Sequence, residues 1–148
     1  MEQNGAYLTT GLKNSMILFI IFISHWYLSL FVQTFFLHRY ASHQMFKMHP
    51  ITEKVFFILT WIAQGSSFLH PAAYALMHRK HHEHSDTDKD PHSPVSFNNW
   101  FKFMYKTRDE YASFIDKVND GDYKDKSLPR WPLIEKVGDS YISRIGFV

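Results

Sequence analysis

Ten of the 148 residues are histidine, and five of these fall in two tight groups. His38 and His43 bracket the stretch HRYASH. His78, His81 and His82 stand in HRKHH, and the acidic run EHSDTDKD follows directly. Imidazole nitrogen ligates zinc, copper, iron and nickel. The chain has no cysteine, so a metal here must use nitrogen and oxygen ligands. Thiolate sites, disulfides and a cysteine nucleophile are excluded. Carboxylates beside ligating imidazoles accept the second ring N–H and fix the direction of the ring. Asp86, Asp88 and Asp90 are the candidates for that support, and Glu83 stands among the ligands as another.

Spacing sharpens the grouping. A helix turns roughly 100° per residue, so His78, His81 and His82 would share an arc of roughly 100° if the helix continues through them. His38 and His43 are five apart and would stand about 140° apart on an ideal helix. That pair needs an irregular turn or a metal between its members. The other histidines read differently. His25, inside an apolar run, reads as a satisfied interior residue ahead of a tunnel-lining one. His49 and His84 read as solvated and His92 as a loop residue. His70 shares a helical side with Tyr74 and His78, and its role is open.

These motifs need elements to hold them. Ser15 to Leu37 is a run of 23 residues without Asp, Glu, Lys or Arg. A bilayer core of about 30 Å takes about 20 helical residues, so the run predicts a transmembrane helix over 15–37. A soluble helix apolar on every face is unusual in so small a chain. The run is too long for a signal peptide, and no Ala-x-Ala-like cleavage site follows it. Residues 1–14 are polar and uninformative. Pro50, Thr52 and Glu53 mark a helix start. The second apolar segment, 55–77, is interrupted by QGSS at 64–67 and by His70-Pro71. Residues 97–106 mix aromatics with lysine, as membrane-interface segments do. Residues 107–118 form an amphipathic helix stopped by NDGD, and 130–148 becomes apolar toward its end. The expected fold is all-α and integral to a membrane, with one transmembrane helix and interfacial or cytoplasmic helices carrying the histidines. A net charge of +2 gives no reason to expect nucleic acid as a partner.

The two motifs, in this order and followed by SDTDKDPH, resemble the first two histidine boxes of the membrane-bound fatty acid desaturases, in particular the acyl-CoA branch. The likeness covers roughly residues 20–100. It implies two irons held almost wholly by histidine, and it carries iron ligation to His38, His43, His78, His81 and His82. It also implies O2 as co-substrate and two electrons from a ferredoxin or small cytochrome. The reaction would remove two hydrogens from a long acyl chain borne on CoA or in a lipid. Phe35, Phe36, Trp61 and Phe68 would line an apolar tunnel, or simply belong to the core.

Both boxes must then lie on one side of the membrane, so the 55–77 helix should not cross it. Lys47, Lys54, Arg79 and Lys80 make that side cytoplasmic, and residues 78–148 form a cytoplasmic or interfacial region. The family's third box, His-x-x-His-His, has no counterpart, since no histidine follows His92. The expectation is therefore one partial desaturase domain over 1–148, inactive alone. A related membrane di-iron hydroxylase and a non-enzymatic membrane metal-binding protein are the alternatives.

Overall fold

The structure is a computed structural model. It describes residues 2–94, 97–123 and 125–148, with side chains from Gly11 onward. The described residues are helical throughout, with no strand among them. Helix α1 (Glu2–Val32) runs without a break into a π-helical segment (Gln33–Ser42). Then come α2 (Pro50–Gln64), a 3₁₀ turn (Gly65–Ser67) and α3 (Pro71–His84). Helices α4 (Trp100–Asn119), α5 (Pro132–Asp139) and α6 (Tyr141–Gly146) complete the chain.

Gly11–Ser42 is the one stretch among the described residues long and apolar enough to cross a membrane. It is longer than the expected 15–37 span, and the polar start of the chain is helical too. Leu18, Phe19, Ile20, Ile21 and Phe22 are all exposed, because none of the described residues packs around this part of α1. The same isolation corrects the reading of His25, which is exposed on the helix surface and not enclosed.

The expected single helix over 55–77 is two helices. Gly65 takes φ +53°, a left-handed conformation that ends α2 and lets the chain turn. Pro71 lacks an N–H and cannot continue a helix, but it suits a first position, so α3 starts afresh there. Both His-Pro pairs open helices in the same way. His49 Nδ1 accepts from Ile51 N (3.3 Å) and His70 Nδ1 from Ala73 N (3.4 Å). The helix start at Pro50 is as expected, with Glu53 in its first turn, where its carboxylate accepts from the Tyr40 hydroxyl.

Residues 97–106 and 107–118 are also not separate pieces. Most of both lie in α4, whose first turn is capped by the Asn99 side chain and whose end falls at Asn119, just before Asp120-Gly121. Helix α3 packs between the π-helical segment and α4, and α2 packs along α1. Ala41, Ala72 and Ala75 are fully buried with Val118 and Leu128, so α3 and the π-helical segment approach closely through small side chains. Phe36, Leu37 and Phe57 form a second buried cluster. These contacts bring the end of the long helix beside the end of α3, where the two histidine motifs stand.

Candidate metal centre

The π-helical segment resolves the spacing of the first motif. Its hydrogen bonds run from residue i to i+5, so residues five apart lie nearly above one another. His43 N donates to His38 O (3.1 Å), and Ser42 Oγ donates to Leu37 O (2.8 Å), both across five residues. The rings follow the backbone: His38 and His43 Nε2 are 3.3 Å apart. The second motif stays helical through His84, as expected. His78 and His82, one turn apart, bring their Nε2 atoms to 3.0 Å. The motifs then meet, with His43 and His78 Nε2 3.1 Å apart.

One ligand atom from each of His38, His43, His78 and His82 lies within 4.8 Å of the other three. Four ring nitrogens gathered this closely form a donor set that suits a metal, since neutral imidazole is the ligating form. Burial pushes the His78 pKa down to about 4, helped by its histidine neighbours. The His43 pKa is lowered by burial and by the charges of His38, His82 and Arg79. Both rings are thereby held in the form that binds metal.

His81 stands at the edge of this group, its ring 5.7 Å from that of His82 and 6.4 Å from that of His78. Its Nδ1 is 2.8 Å from Asp90 Oδ2. Asp90 is buried and also accepts from the backbone N–H groups of Asp86 and His92. Burial alone would raise its pKa, but these hydrogen bonds hold it below the usual carboxylate range. Of the three expected supports, Asp90 alone has a contact with a motif histidine. Asp86 accepts from Ser93 Oγ, Asp88 is exposed, and Glu83 is exposed beside His84. His92, read as a loop residue, lies in a loop with its ring 6.2 Å from that of His81.

A largely apolar cavity of about 430 Å³ opens beside His78 and His81, walled by Leu69, Tyr74, Met77 and Met104 among others. None of the four aromatics proposed for a tunnel lines it. Phe36 and Phe68 are buried core. Phe35 stacks with Phe31 and contacts Phe46 and Phe56, and Trp61 Nε1 donates to Ser143 Oγ. The apolar part of the wall comes from Leu69, just before α3, and from Met and Tyr on α3 and α4, residue types that carry no distinct signal in sequence.

One residue at the site, Arg79, was not legible in the sequence as a contact of the first motif. Arg79 donates from Nε to Ser42 O and from Nη2 to Ala41 O, both at 2.8 Å, and from Nη1 to Asp125 Oδ2 at 2.9 Å. Buried His70 faces Glu135, with 3.6 Å between Nε2 and Oε2. Its own signal was the proline after it, which repeats the His49-Pro50 pattern.

Comparison with known proteins bears on this geometry. Residues 14–125 match the family described as "Fatty acid desaturase". The "Delta-9 desaturase-like 3 protein" of Arabidopsis thaliana is 36% identical over 73 residues, covering 49% of this chain and 23% of that protein. The "Hex-5-enoyl-[acyl-carrier protein] acetylenase" of Moorena producens (strain JHB) is 37% identical over 75 residues, 50% of this chain and 22% of that protein. The chloroplastic "Palmitoyl-monogalactosyldiacylglycerol delta-7 desaturase" of Arabidopsis thaliana is 37% identical over 68 residues, 45% of this chain and 17% of that protein. The matched stretch thus spans less than a quarter of each relative's length. No solved structure matches the chain significantly.

Proposed function

The chain belongs to the fatty acid desaturase family, and from that premise we propose that it supplies part of a di-iron centre that desaturates fatty acyl chains. The observation that carries this reading is the convergence of four imidazole nitrogens from two separate motifs, beside an apolar cavity. His38, His43, His78 and His82 would hold iron, with His81, steadied by Asp90, as a fifth ligand. Iron at this place would activate O2 and take hydrogen from an unactivated carbon, chemistry that no side chain supplies.

The protein's own part is to hold the ligands and the substrate. Leu69, Met77 and Met104 give the acyl chain an apolar wall and keep water away from it. The SDTDKDPH run supports acyl-CoA as the form of the substrate. The electron donor is a separate ferredoxin or small cytochrome. Within the long apolar helix, residues 15–37 make the one membrane crossing among the described residues, and the histidines that follow face the cytoplasm. Two irons take roughly eight to ten protein ligands in all. The five histidines supply about half of these, so the remainder must come from a further segment or a partner, and the chain alone is inactive.

Anaerobic iron loading of the purified protein tests the reading. Iron should be retained, and His38→Ala or His78→Ala should lose it. Retention unchanged in the combined His38, His43, His78 and His82 alanine variant would sink the proposal. Four converging nitrogens would also satisfy a single ion, which favours a metal-binding protein as the second reading. Lipid analysis separates the two: in a host lacking its own desaturase, with a donor and the missing ligands supplied, the desaturase makes new double bonds and a metal binder makes none.

A further inference from the structure

We infer that Arg79 is a positioning residue for the metal centre, forming with Gln44, Asp125 and Ser127 a clamp that fixes the end of the π-helical segment against α3. The inference rests on the metal reading above. Helix ends leave carbonyls without partners, and a cation near the C-terminal end is favourable. Ala41 O and Ser42 O are two such carbonyls, and the Arg79 guanidinium takes both. Its remaining edge reaches Asp125 Oδ2 and, at 3.3 Å, Ser127 Oγ. Ser127 Oγ also accepts from the Gln44 side-chain amide. Gln44 has φ +52°, a conformation uncommon outside glycine, so this bond holds a backbone turn that few residues adopt unaided.

The position of these contacts in the chain gives them their meaning. His43 lies between Ser42 and Gln44, and both its neighbours are held by the clamp. Arg79 itself follows His78. One guanidinium therefore fixes the separation of His43 and His78, the contact through which the two motifs meet. Leu128, buried among Ala41, Ala72 and Ala75, anchors the 125–127 segment that completes the clamp. A lysine would replace Arg79 only in part, because it keeps the charge but cannot fork across two carbonyls and a carboxylate at once.

The test titrates cobalt(II) into the full chain in detergent, reading affinity and the visible ligand-field bands, with folding checked by circular dichroism. Arg79→Gln should weaken cobalt binding about tenfold or more, the range for residues that orient ligands, and should alter the bands. Arg79→Lys should recover part of the affinity, and Asp125→Asn and Ser127→Ala should each give a smaller loss in the same direction. Arg144 is the control: it also bonds two backbone carbonyls and a carboxylate, at Ser66, Phe68 and Asp139, away from the histidines. Arg144→Gln should lower the melting temperature and leave cobalt affinity as in the wild type. A folded Arg79→Gln protein with wild-type affinity and bands would overturn the clamp, as would equal losses in the Arg79 and Arg144 variants. If Arg79→Gln does not fold, Asp125→Asn and Ser127→Ala decide by the same reading, and wild-type affinity in both overturns it. A wild-type chain that binds no cobalt overturns the metal reading itself, which the single variants cannot do.

Discussion

Asp90 shows how one carboxylate comes to differ from its neighbours. Asp86, Asp88 and Asp90 look alike in the sequence, but Asp86 adopts φ +60°, and the turn it starts swings Asp90 back beneath His81. Removing the buried Asp90 carboxylate takes the acceptor from the N–H groups of Asp86 and His92 and from the His81 ring. Asp90→Ala should therefore cost about 1–3 kcal/mol, read from denaturant melts. His70 makes a second prediction. Burial, with the Arg130 charge, lowers its pKa from 6.5 to about 4. As pH falls below 6.5 the unfolded chain takes up a proton that the folded chain refuses, so this stability is complete above that value and is lost toward about pH 4. Glu135 works the other way, because burial raises its pKa and favours the folded state on acidification. Replacing His70 by Asn should flatten the fall of melting temperature between these limits, and an unchanged slope would refute the assignment. The five motif histidines were legible because residue type and spacing alone marked them. Asp90 was legible only as one of three candidate supports, since its role depends on one backbone angle, and Arg79 was not legible, because its partners lie up to 48 positions away.

At the scale of elements, punctuation was readable and continuity was not. QGSS and His70-Pro71 marked where the second apolar segment weakens, but not that two helices result. That outcome depends on Gly65 turning left-handed, with the Phe147 ring packed against it, and on Pro71 starting the next helix. Phe68 meets α5 at Gly138, where an added Cβ would lie 2.4 Å from its ring. The ring is fully buried and has no free end to yield. Gly138→Ala should destabilise by about 1–3 kcal/mol in thermal melts, the usual cost of overpacking, and Phe68→Leu should recover part of it. The Asn99 cap is a milder case: Asn99→Ala should cost about 1 kcal/mol, because the first turn of α4 loses its side-chain acceptor. The irregular turn demanded by His38 and His43 was legible as a need, but the ten-residue π-helical form it takes was not. That form also depends on Ser42 Oγ and the Arg79 fork, each supplied by side chains with other claims on them.

At the scale of the whole molecule, the long apolar helix was the plainest signal, because no soluble surface explains so many exposed apolar side chains. One crossing places its two ends on opposite faces of a bilayer. Single cysteines at Gly11, Lys47 and Asp88, all exposed, test this. Positions 47 and 88 should label from one side and position 11 from the other, and opposite labelling of 47 and 88 would refute a shared side for the two motifs. The wide winding of residues 33–42 has a further consequence, for changes in chain length. Five residues wound with i+5 pairing and four wound with i+4 pairing both complete about one turn. Deleting Arg39, which is exposed, would relax the segment toward an ordinary helix and still leave the two imidazoles stacked, so metal should still be retained. Inserting one alanine after Arg39 makes the interval six, which neither winding brings back to the same face, and metal should be lost. The winding therefore predicts a helix that tolerates a shorter chain but not a longer one, because the spare residue lies between His38 and His43.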